Sequence, residues 1–228
     1  MLIQRLGTTL QRLENAANDA LRPVPRLLAV SKTKSATAVA TLAAEGQRAF
    51  GENYVQEALA KAAALDALGL EWHMIGHLQS NKADVAAKLF DWVQTVDRPK
   101  LVSALARYRP PDAAPLNVLI QVNIDDEASK HGCTPDEVPS LVAAIMQQPN
   151  LRLRGLMAIP APHPDPERRR MAYRRMAAMY QQLASGHAQV DTLSMGMSDD
   201  FALAIAEGAT MVSIGSALFG PREPRIEE

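Results

Sequence analysis

RLLAVSK at residues 26–32 is a short apolar run that stops on a lysine, and seven comparable runs follow it along the chain. They are RAFGEN (48–53), WHMIG (72–76), WVQTV (92–96), LNVLIQVN (116–123), RGLMAI (154–159), DTLSMG (191–196) and MVSIG (211–215). Amphipathic, mostly alanine-rich stretches lie between them, at 36–45, 54–68, 79–89, 100–107, 135–148, 167–183 and 199–207. Short apolar strands that alternate with helices imply parallel strands joined by right-handed crossovers. Eight such units in about 200 residues fit an α/β fold, a closed (β/α)8 TIM barrel at the short end of its size range. An open doubly wound sheet is the alternative. Against it, no GxGxxG or Walker-type glycine loop follows the first strand.

Outside this series stands one more helix, about Leu2 to Leu21, which ends before Pro23 and Pro25. Its apolar residues recur at helical spacing among charges, so it suits neither a signal peptide nor a membrane span. A cytoplasmic protein with no membrane contact is therefore expected. No Gly/Ser-rich linker interrupts residues 1–228, which are expected to form a single barrel domain. With 47% hydrophobic and 21% charged residues, a chain of this length can bury its core without disulfides or a structural metal. The net charge of −1 argues against nucleic acid as a partner. Arg168, Arg169, Arg170, Arg174 and Arg175 are the local exception and read as a solvated helix face. Cys133 is the only cysteine, so no internal disulfide forms. His73 and His77 straddle Gly76 at a strand-to-loop junction, a poor arrangement for metal binding.

On a barrel, chemistry sits at the carboxyl ends of the strands. Those ends carry Lys32, Asn53, His77, Asp97, Asn123, Ala158–Pro160, Gly196–Ser198 and Gly215–Ser216. Period-two alternation puts Lys32 on the side of Leu28 and Val30, at the mouth if that side faces inward. A desolvated amine loses its charge more readily and attacks a carbonyl to form a Schiff base. The plainer alternative is an ion pair between Lys32 and Glu52. After the last two strands come SMGMSDD (194–200) and IGSALFG (214–220). Ser198 reads as the N-cap of a helix, and Gly215 and Ser216 open another helical turn. Amides and hydroxyls at such starts bind phosphate, a recurrent device after strands seven and eight. Lysine and cradle together suit an aldehyde bearing a phosphate, either pyridoxal 5′-phosphate or a sugar phosphate in an aldolase.

AVSKTK (29–34), FGENYVQE (50–57), HMIGHLQSNK (73–82), QVNIDDEASKHG (121–132), GLMAIPAP (155–162), LSMGMSDD (193–200) and IGSALFG (214–220) resemble the pyridoxal phosphate homeostasis proteins. The resemblance spans about residues 26–222 and implies one barrel similar to the N-terminal domain of alanine racemase. It implies that Lys32, the first lysine of SKTK, holds pyridoxal 5′-phosphate. The role it implies is vitamin B6 and amino-acid homeostasis without turnover. Two positions depart from the family pattern. Ser35 stands where proline is usual, and Ser213 replaces an arginine that, in the related racemase barrel, faces the pyridine nitrogen.

The expected cofactor-binding set is Lys32, Asn53, Ser194, Met195, Ser198, Ser213, Gly215 and Ser216, with no catalytic residue and no metal. Lys34, Lys82 and Lys130 are expected near the same mouth, as steering charges or a secondary resting site. A small amino-acid racemase is the competing reading, but racemisation needs a base on each face of Cα. In two-domain racemases that second base is a tyrosine at a site shared with a further β-domain, which this chain is expected to lack. Tyr54, Tyr108, Tyr173 and Tyr180 all fall in helical segments away from strand ends. A cofactor carrier is therefore expected, monomeric, with cofactor-dependent apo-enzymes as candidate recipients. A scaffold docked through the arginine cluster is a third possibility.

Overall fold

Each apolar run forms a strand, and strand alternation decides which side chains face inward. The strands are β1 (Arg26–Val30), β2 (Ala49–Glu52), β3 (Glu71–Met74), β4 (Trp92–Val96), β5 (Leu116–Gln121), β6 (Leu151–Met157), β7 (Thr192–Ser194) and β8 (Met211–Ile214). In the computed structural model, which describes residues 1–125, 131–161 and 163–220, all of them pair in parallel. β1 also pairs with β8, with Leu28 opposite Ser213, and this closes the barrel in chain order. The doubly wound alternative is excluded by that closure.

The helices are α1 (Leu2–Asp19), α2 (Ala36–Ala44), α3 (Val55–Ala64), α4 (Ala83–Leu89), α5 (Pro99–Tyr108), α6 (Val138–Met146), α7 (Pro166–Gly186), α8 (Phe201–Ala206) and α9 (Ser216–Phe219). Short 3-10 turns at Asp66–Leu68, Ser80–Lys82 and Pro135–Glu137 occupy the ends of the stretches that read as longer helices in the sequence. β6 begins three residues earlier than the apolar run suggests, because Arg152 and Arg154 alternate with Leu151 and Leu153, which are buried in the core, and Arg154 lies over the Trp92 ring. Ser35 caps α2 by accepting from the Ala38 amide, so the missing proline leaves the helix start intact.

The main core lies between strands and helices and includes Leu42, Phe50, Met74, Leu101, Val118, Ile145 and Ile214. Two separate apolar clusters fill the barrel interior. One joins Leu28, Ala49 and Met211 with Ile75 against them; the other joins Trp92, Leu119 and Met157. Buried His73, Gln94 and Ser194 are polar residues within this interior. Gly155 (φ 146°) permits close contact between β6 and β7, since a Cβ there would lie 1.8 Å from the Thr192 carbonyl oxygen. The extra helix α1 packs on α2, α8 and α9. Among the described residues, no helix is long and apolar enough to cross a membrane.

Candidate functional site

At the carboxyl ends of the strands a cavity of about 310 Å³ opens, within the range of small-molecule sites. Every residue of the expected binding set lines it: Lys32, Asn53, Ser194, Met195, Ser198, Ser213, Gly215 and Ser216. Lys34 joins them, whereas Lys82 does not, and Lys130 lies outside the described residues. Ile75, Met157 and Ile159 give it apolar walls.

Lys32 sits in a turn just past β1, closed by the Lys34 amide donating to the Ser31 carbonyl at 3.0 Å. Its neighbour Thr33 takes a left-handed φ of 63°, costly for a β-branched residue unless the surroundings impose it. They do so through a buried knot. Lys61 of α3 donates at 2.7 Å to three acceptors: the Ser31 carbonyl, Glu52 Oε1 and Glu57 Oε1. The Ser31 hydroxyl donates to Glu52 Oε1 at 2.6 Å, and the Thr33 amide donates to Glu57. Residues on both sides of Lys32 are thus bolted to α3 and β2. Glu52 is fully buried, and that burial holds its carboxyl above the ordinary range despite the opposing pull of Lys61 and Ser31. Lys61 and Ser31 both donate to its Oε1. Asn53 is set by a close crossing, since a Cβ on Gly76 would fall 2.3 Å from the Asn53 carbonyl oxygen.

Across the cavity, the turn after β7 is fixed differently from expectation. Asp200, not Ser198, is the N-cap of α8, and its Oδ1 accepts from the Met197 amide at 2.9 Å. That leaves the Ser198 hydroxyl to accept from the Ala217 amide at 3.4 Å, which ties the two turns together. Gly215 is the N-cap of α9, as expected. Arg12 of α1 stands with Ser198, Asp199 and Ser216 around an adjoining recess and lies over the Phe201 ring. Nothing in the α1 sequence marks that arginine, because the docking of α1 across the barrel is not a local property.

Tyr173 corrects the reading of the tyrosines. It lies in α7, yet it is buried and lines the cavity. Burial and neighbouring Asp200 push its phenol far above the ordinary range, so it holds its proton. The arginine cluster is partly anchored: Arg174 pairs with Glu207, and Arg175 donates to the Ile124 carbonyl. His73 turns into the barrel, while His77 stacks on His131 with ring centroids 3.9 Å apart, beside Asp97. Among the described residues, no three His, Cys, Asp or Glu side chains are grouped to hold a metal ion.

The alanine racemase N-terminal domain family matches residues 5–223. The pyridoxal phosphate homeostasis protein of Pseudomonas aeruginosa is 50% identical over 97% of this chain and 96% of its own. That of Escherichia coli K12 is 52% identical over 86% of each chain. PipY of Synechococcus elongatus PCC7942, solved with pyridoxal phosphate bound, superposes with a TM-score of 0.84 at 33% identity, covering 96% of this chain and all of PipY. Alanine racemase of Corynebacterium glutamicum shares the fold at 20% identity, with a TM-score of 0.68. With a barrel that matches along nearly its whole length and relatives at half identity, this chain belongs to the pyridoxal phosphate homeostasis protein family.

Proposed function

We propose that the chain carries pyridoxal 5′-phosphate as a Schiff base on Lys32 and maintains the supply of this cofactor, and with it amino-acid balance, without turnover of its own. The observation that carries this reading is the single cavity joining Lys32 to the serine and glycine turns after β7 and β8. The donor set fits the cofactor: an amine for the aldehyde, apolar walls for the ring, and hydroxyls with a second lysine for the phosphate. Bound there, the cofactor supplies a reactive carbonyl and nothing that the protein must transform. The residues of this chain do the rest. The Ser31–Glu52–Lys61 knot orients Lys32, Ser198 and Ser216 hold the phosphate end, and Lys34 attracts the anion. PipY and the homeostasis relatives support the same assignment. The chain is proposed to act as a monomer that releases cofactor to dependent apo-enzymes.

Tyr173 in the cavity wall favours one competing reading, an amino-acid racemase with tyrosine as second base. A general base works best near the operating pH, and a phenol held far above it is a poor one. The purified protein should absorb at about 420 nm when loaded, and borohydride should fix the label on Lys32. Lys32→Ala should lose both signals. An unchanged band in that variant overturns the lysine assignment, and solvent deuterium entering amino-acid Cα positions at enzymatic rates overturns the carrier.

A further inference from the structure

A chain of hydrogen bonds crosses the barrel interior from its amino-terminal rim to the cavity. Arg26, at the start of β1, pairs with Glu71 at 2.9 Å, and Glu71 contacts His73 Nε2. His73 Nδ1 meets Gln94 Nε2 at 2.8 Å, and the Ser194 hydroxyl meets Gln94 Oε1 at 2.7 Å. His73 and Gln94 are fully buried and Ser194 nearly so, and Trp92 stacks on the imidazole with centroids 5.2 Å apart.

The direction of every proton in this chain follows from its charged end. A carboxylate held by Arg26 only accepts, so His73 Nε2 carries a hydrogen. Burial disfavours an imidazolium, which leaves Nδ1 as an acceptor for the Gln94 amide. The Gln94 carbonyl then faces Ser194, whose single proton points inward. We infer that Ser194 offers the cavity only lone pairs, so it selects a ligand whose facing atom bears a hydrogen and takes no part in holding a phosphate. This rests on the cofactor reading above and divides its serines. Ser198 and Ser216 remain donors to an anion, while Ser194 accepts from a protonated heteroatom of the ligand's ring system.

Two measurements test the inference separately from cofactor carriage. Nitrogen-15 NMR of cofactor-free protein should show His73 neutral, with Nε2 protonated, at pH 7 to 8. Gln94→Glu should turn it into an imidazolium, because both ring nitrogens then face carboxylates. A protonated Nδ1 in the parent overturns the inference whether or not the variant folds. In the second measurement, Ser194→Ala should weaken pyridoxal and pyridoxal 5′-phosphate equally, by about tenfold, as expected for one lost hydrogen bond. Ser198→Ala should weaken only the phosphorylated form. If Ser194→Ala instead spares pyridoxal and weakens only the phosphate ester, Ser194 is a phosphate donor and the inference fails. If the parent binds neither ligand, the cofactor reading fails while the NMR result still stands or falls alone.

Discussion

Lys61→Met removes the amine at the centre of the knot beneath Lys32 and keeps nearly its volume. Glu52 is then left fully buried with Ser31 as its remaining partner. Breaking one side of a buried pair costs about 3–5 kcal/mol when the orphaned charge stays ionised. Glu52 has an escape, since it can take up a proton. From its ordinary value of 4.5, neutralisation at pH 7 costs about 3.4 kcal/mol, at 1.36 per unit. The parent already bears part of this cost, because burial holds the carboxyl above its ordinary range there too. The expected loss is therefore about 2–3 kcal/mol at pH 7, or about 4–12 °C in Tm for a domain of this size. The sign with pH is fixed. A folded-state value above the unfolded one means stability is fully present below about pH 4.5 and falls as pH rises through the folded value. Urea titrations at pH 5 and pH 7 should show the gap between variant and parent widening at the higher pH. Adding Glu52→Gln should recover much of the loss at pH 7, but not the placement of Lys32, read as cofactor affinity. A loss below about 1 kcal/mol at pH 7, or one that does not change with pH, refutes this reasoning.

Gly155→Ala should destabilise the barrel by about 2–4 kcal/mol in chemical denaturation, because its Cβ meets the Thr192 carbonyl at 1.8 Å. Cys133 is buried, and burial with nearby Glu137 and Asp97 pushes its thiol up to about 12. It should ignore a thiol reagent at pH 8 in the folded protein and react stoichiometrically after unfolding. Ser213→Arg should bind pyridoxal 5′-phosphate at least as tightly as the parent in absorbance titrations. Amino-acid turnover should stay near zero, since arginine stabilises no protonated ring nitrogen.

The barrel was legible because each strand is a compact apolar run, and eight runs alternating with helices admit few topologies. The mouth residues followed from where those runs end, and so Lys32, Asn53 and Ser213 line the cavity. What stayed hidden depends on elements that meet only in three dimensions. Lys61 looks like a surface lysine of an alanine-rich helix, and its spacing of four from Glu57 was the sole local sign of a partner. Tyr173 escaped because helical periodicity does not say which helix leans over the mouth. Ser198 and Asp200 both make acceptable N-caps, and only the observed backbone, with α8 starting at Phe201, decides between them. The polar chain through the interior was unreadable for the same reason. Alternation turns His73, Gln94 and Ser194 inward, but only closure of the barrel brings them within 3 Å of one another.

The helix α1 rests on α8 and α9, and β1 completes its pairing only with β8. A ribosome delivers these partners far apart in time. Until α8, β8 and α9 emerge, α1 lacks two of its seats and β1 keeps an unpaired edge, a state exposed to mispairing. The turns that face Lys32 follow β7 and β8, so a nascent chain has the lysine long before it has them. The two sides of the cavity therefore come together only as the barrel closes.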